Sequence, residues 1–132
     1  MASIRREIVI DAHPDAVWDA LRDYGALHQR LAPGFATDLR MDGRDRIVTF
    51  ATGAVLREVP LGTDDEHRRL AWSIVDGPYT HHNGAAQVFA EGDGRTRFVW
   101  ITDLLPDDLA DRTAEMMQRG LEVIKQTQES RA

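Results

Sequence analysis

Apolar residues recur along this chain with two different periods, and the changes of period divide it into three parts. At the start, Ile4, Ile8 and Ile10 share one parity of IRREIVI, the alternation of a half-buried strand over residues 4–10. In DAHPDAVWDALRDY, which follows, Val17, Trp18 and Leu21 fall at helical spacing. Pro14 suits a first helical turn, Asp11 or His13 can cap it, and Asp15 adds favourable charge there. A second short helix is predicted over residues 24–31, with Tyr24, Leu27, His28 and Leu31 on one side. It ends at APGF, because the residue before a proline is pushed out of helical geometry.

From Thr37 to Leu104 the pattern changes to hairpins. Turn clusters stand at DG (42–43), TDDE (63–66), DGP (76–78) and EGDG (91–94). Between them the pattern predicts six strands, over residues 37–42, 45–51, 54–62, 67–75, 79–90 and 95–104. Strands joined by such short turns pair antiparallel. After Pro106 the helical period returns in one long run. Asp107 and Asp108 favour its N-terminus, and Leu109, Thr113, Met116, Met117, Gly120, Leu121 and Ile124 form its apolar stripe.

One curved antiparallel sheet has an apolar face to cover, and only the long C-terminal helix is large enough to cover it. The expected fold is therefore α+β, a sheet of about seven strands wrapped around that helix, with two short helices cradling one end. The whole chain, 1–132, reads as a single domain. A strongly curved sheet and a straight helix need not close at every level, so an interior cavity is expected.

Composition removes several alternatives. The net charge of −6 disfavours a nucleic-acid partner, and Arg5-Arg6 and Arg68-Arg69 read as solvated strand-end charges. Without cysteine there is no disulfide, thiol nucleophile or thiolate metal site. The apolar stretch in MASIRREIVI is too short for a signal peptide, and no run approaches the ~18 apolar residues of a membrane span. The expectation is a cytoplasmic protein.

The order of elements resembles the SRPBCC superfamily of START-like, helix-grip proteins, which includes polyketide cyclases/dehydrases. So do IVIDAHPDAVWDALRDYGALHQRLAPGF near the start and RFVWITDLLPDDL before the last helix. The likeness spans essentially the whole chain. It implies a cavity that takes an apolar or amphipathic small molecule, with chemistry performed there by a minority of members. Fold likeness does not select among those roles.

The residues suggest where a site would lie. If the EGDG hairpin turns near Asp93, Asn83 lies opposite Asp103, Ala85 opposite Ile101 and Gln87 opposite Val99. His81, Asn83 and Asp103 then share one face, with His82 and Trp100 on the other. Turned inward beside Gly84, Ala85 and Ala86, the polar trio would meet a ligand, with Asp103 and His81 as acid/base if the protein is an enzyme. Turned outward, Asp103 is a strand or turn residue exposed to water. Ala85 and Ile101 are further ligand-binding candidates, and so are Trp72, Met116, Met117 and Gly120, the last four with core packing as the alternative. Arg57 and Glu58 must face opposite ways, which sends one of them to the concave side.

No metal or cofactor is expected. Neighbouring His81 and His82 diverge on a strand, and His13, His28 and His67 lack ligand spacing. No P-loop, dinucleotide fingerprint or nucleophile elbow occurs. Three functions stay open: a carrier of a small hydrophobic or aromatic ligand, a cofactor-independent cyclase or dehydratase, and a protein-binding module or homodimer. A roomy cavity with inward Asp103 and His81 favours the enzyme, an apolar lining the carrier, and a filled core with an exposed apolar patch the third.

Overall fold

The computed structural model describes residues 1–132. Strand β1 (Ala2–Ile10) leads into helix α1 (Pro14–Arg22), a 3-10 turn (Tyr24–Ala26) and a single π turn (Leu27–Leu31). Six strands follow: β2 (Ala36–Asp42), β3 (Asp45–Phe50), β4 (Val55–Asp64), β5 (Arg69–Ile74), β6 (His81–Ala90) and β7 (Thr96–Leu105). A short 3-10 turn (Asp107–Leu109) then opens α2 (Ala110–Ser130). All seven strands form one antiparallel sheet in the order β1-β7-β6-β5-β4-β3-β2. Each consecutive pair from β2 to β7 is a hairpin, and β1 adds to the free side of β7.

The helix starts follow their local chemistry. His13, rather than Asp11, caps α1: its Nδ1 accepts the Asp15 amide at 3.1 Å. The predicted second helix is instead the 3-10 and π turns, so Leu27 and Leu31 reach the interior from a segment with no regular α-helical ladder. Arg30 fastens this segment to α1 and its exit, bonding Asp19 at 2.6 Å and Asp23 at 3.0 Å. Gln128 of α2 donates to the Arg30 carbonyl at 2.8 Å.

Helix α2 buries Thr113, Met117, Gly120, Leu121, Ile124 and Gln128. The main core joins Ile10, Val17, Trp18, Leu21, Leu31, Leu70, Trp72, Val88, Phe98, Leu121 and Ile124 between the sheet and both helices. A second cluster, Ala36, Val48, Phe50, Leu56 and Ile74, fills the end near β3 and β4. Ile4, Leu104 and Met117 form a third beneath the start of α2.

The β6–β7 register is the predicted one, with Asn83 opposite Asp103, Ala85 opposite Ile101 and Gln87 opposite Val99. The face is the reverse of the inward placement. His82, Gly84, Ala86 and Val88 are buried on β6, whereas Asn83 is exposed and His81 and Ala85 half-buried. On β7, Phe98, Thr102 and Leu104 are buried on the parity of Trp100, and Ile101 is 40% exposed. Asp103 lies outward, where its Oδ1 accepts the Ser3 hydroxyl across β1 at 2.5 Å. The cause is packing volume: Phe98, Trp100 and Leu104 beside Ala86 and Val88 fill the space under α2, and they carry the opposite parity outward.

Candidate functional site

Aromatic rings surround the space that α2 leaves over the sheet. Trp100 and Trp72 lie with ring centres 6.2 Å apart, and Phe35 meets Trp100 edge-on at 6.4 Å and Phe50 at 5.6 Å. Trp72 takes its place because the opposite β6 residue is Gly84, where a Cβ would come within 2.7 Å of the ring. Leu27, Leu31, Ile74, Ala86, Met116 and Ile124 complete an apolar wall. The space open to the centres of water-sized groups is about 50 Å³. That volume holds roughly three to five waters. It is well short of the ~300 Å³ at which pockets for larger ligands begin.

Three charged or polar side chains share this apolar wall: Arg46, Glu58 and His82. They stand side by side across the sheet, because Arg46 pairs with Glu58, Glu58 with Ile74, and the Ile74 amide donates to His82 on β6. Arg46 and Glu58 are each 4% exposed, and Arg46 reaches Glu58 Oε1 through Nε at 2.8 Å and through Nη2 at 2.7 Å. The Arg46 guanidinium also lies 4.0 Å over the Tyr24 ring and donates to the Tyr24 carbonyl at 3.1 Å. Tyr24 in turn donates its hydroxyl to the Glu58 carbonyl at 2.8 Å. Burial pushes the Tyr24 pKa well above its ordinary value, so it stays a neutral donor.

His82 is held differently. Its Nδ1 accepts the Ile74 amide at 3.2 Å, which leaves the ring proton on Nε2. Burial lowers its pKa from 6.5 to about 4, helped slightly by His81 and opposed by a backbone hydrogen bond. His82 is thus a neutral imidazole presenting one N–H donor. Two further polar atoms on the inward parity of β7, Trp100 Nε1 and Thr102 Oγ1, are buried without a partner.

A wider cleft of about 350 Å³ lies outside, between Thr52–Ala54, Pro78–Tyr79 and the first half of α2. Met116 lines both this cleft and the inner cavity. Tyr79 and Thr113, beside it, share a hydroxyl–hydroxyl bond of 2.8 Å.

Of the residues singled out from sequence, Trp72 and Met116 line the cavity. Met117 is fully buried, but against Ile4 and Leu104 rather than in the cavity wall. Gly120 borders no open space, since a Cβ there would meet Trp100 at 2.8 Å and Phe35 at 3.1 Å. Asp103, His81, Asn83, Ala85 and Ile101 form no part of the cavity wall. Between Arg57 and Glu58, the glutamate faces inward, and Arg57 bonds Asp42 and Asp45 on the outside. Arg46, Glu58 and His82 were missed as a group, although Arg46 shares parity with Val48 and Phe50 and His82 with Ala86 and Val88. No three histidine, aspartate or glutamate side chains gather as a metal site.

The polyketide cyclase/dehydrase and lipid transport family matches residues 1–129. The chain belongs to this family. Among solved structures, the protein XoxI from Bacillus cereus shares the fold with a TM-score of 0.84 at 20% identity, over 97% of this chain and 96% of that one. Norcoclaurine synthase from Thalictrum flavum aligns with a TM-score of 0.68 at 19% identity, over 91% and 83%. The di-domain ARO/CYC BexL from the BE-7585A biosynthetic pathway aligns with a TM-score of 0.77 at 17% identity, over 96% of this chain and 46% of that one. No curated protein matches the chain in sequence. At these identities the structural likeness is one of fold, and the fold of this family member is the helix-grip arrangement of sheet and C-terminal helix. None of its helices is long and apolar enough to cross a membrane.

Proposed function

We propose that the protein binds a small hydrophobic or aromatic molecule in the cavity between the sheet and α2. The observation that carries this reading is the lining itself, 13 hydrophobic residues of 16, with the rings of Trp72, Trp100, Phe35 and Phe50 among them. Such a wall rewards burial of apolar surface at about 25 cal/mol per Å², and aromatic walls favour a ring. The test is a titration with single-ring aromatics followed by methyl NMR. Shifts should concentrate at Leu31, Ile74 and Met116, with quenching of tryptophan emission. Shifts confined to outer-face residues such as Ile101, or none at millimolar ligand, would overturn the reading.

A cyclase or dehydratase acting on a polyketide-like substrate is the second reading, supported by the family and by Glu58 and His82 in the cavity wall. Asp103 and His81, the pair first suggested for acid/base work, stand outside that wall. A space of about 50 Å³ also argues against a multi-ring substrate.

A further inference from the structure

The cavity is not uniformly apolar: beside the unpartnered Trp100 Nε1–H, it holds two polar positions of opposite hydrogen-bonding character. Both of Arg46's contacts to Glu58 go to Oε1, and Oε2 has no hydrogen-bond partner in the protein. A carboxylate held by an arginine accepts hydrogen bonds and cannot donate them. His82 spends Nδ1 on the Ile74 amide, and its Nε2–H has no partner in the protein either. That position donates and cannot accept. Glu58 and His82 are 4% and 3% exposed, so both side chains lie inside the fold. They lie two strands apart, about 10 Å between Cα positions from the spacing of neighbouring strands. The rings of Trp72 and Trp100 help to wall the same space.

We propose that the preferred ligand is a single aromatic ring carrying a hydrogen-bond donor at one end, directed to Glu58, and an acceptor at the other, directed to His82. The proposal rests on the cavity being the binding site. A hydroxyl or amino group satisfies Glu58 Oε2, and a carbonyl or ether oxygen satisfies His82 Nε2–H. A wholly apolar ring would strip water from both groups and return nothing, and a site built around buried polar groups discriminates against such analogues. The pattern also favours one orientation, because exchanging the two ends sets the carbonyl oxygen against the Glu58 carboxylate, acceptor against acceptor.

Four probes of nearly equal shape separate the possibilities: 4-hydroxyacetophenone, 4-ethylphenol, acetophenone and ethylbenzene. Calorimetric or NMR titration of the wild-type protein should rank 4-hydroxyacetophenone first, about tenfold or more over ethylbenzene. The two singly substituted probes should fall between them. Equal affinities for all four would overturn the donor–acceptor pattern and leave the cavity reading standing. Absence of cavity binding by every probe would overturn both. In His82→Phe the ketone's advantage should vanish, so that 4-hydroxyacetophenone and 4-ethylphenol bind alike. A ketone preference kept in that variant would remove His82 from the site. The wild-type ranking decides the pattern even if that variant does not fold.

Discussion

The ring of Trp100 rests against the backbone of Gly120, so close that a Cβ on that glycine would lie 2.8 Å from the ring. The glycine lets the middle of α2 sit against the tryptophan that closes the cavity from below. In an exposed helix, glycine costs about 1 kcal/mol relative to alanine. Here the order should reverse. Gly120→Ala must displace Trp100 and Phe35 and should lose about 1–3 kcal/mol in urea unfolding, despite its better helix propensity. Equal or higher stability would show that the rings give way freely.

Glu58→Gln leaves Arg46 charged and buried without its partner. Breaking such a pair from one side costs about 3–5 kcal/mol, whereas an apolar pair of similar volume is often neutral. Unfolding midpoints should therefore fall sharply in Glu58→Gln and recover in the double variant Arg46→Met with Glu58→Leu. A double variant no better than the single one would contradict this account.

Stability should depend on the neutrality of His82. An imidazole ordinarily takes up its proton near pH 6.5, and burial holds that of His82 down to about 4. Between those values the unfolded chain binds a proton that the folded chain refuses. The folded state is favoured fully above about pH 6.5 and loses up to about 3 kcal/mol as pH falls toward 4. Urea unfolding at a series of pH values should show this slope in the wild-type protein and a flatter one in His82→Phe. Parallel slopes would exclude His82 as their source. The carboxylates of Glu7, Asp19, Asp42 and Asp64 have lowered pKa values from arginine or His67 contacts, and they lose those contributions at lower pH.

Asp103→Asn should be nearly silent. Its partner is the Ser3 hydroxyl on the outer face, and an exposed hydrogen bond of this kind is worth about 1 kcal/mol or less. Ligand affinity should not change, and a tenfold change would place Asp103 in contact with the ligand after all.

The contrast between Asp103 and His82 shows how far the sequence could be read. Turn clusters and apolar periods located all seven strands and the long helix to within two or three residues. The β6–β7 register followed from the EGDG turn. The facing of β7 did not follow, because Val99 and Ile101 are as apolar as Phe98 and Trp100, and alternation alone does not rank two apolar parities. Total side-chain volume did: the larger set went inward. The Arg46–Glu58 pair was hidden for a related reason, since each residue alone looks like an ordinary strand charge. Only the β3–β4 register makes them partners.

Met116 has a kinetic consequence, being common to the inner cavity and the outer cleft. An unbranched thioether with three rotatable bonds is the softest partition available to a protein wall. Exposed side chains change rotamer in picoseconds to nanoseconds, far faster than helices slide or sheets open. If Met116 is the barrier, a small guest would come and go at a pace set by one side chain. The scaffold would stay still, and residence time would follow the bulk and branching of residue 116.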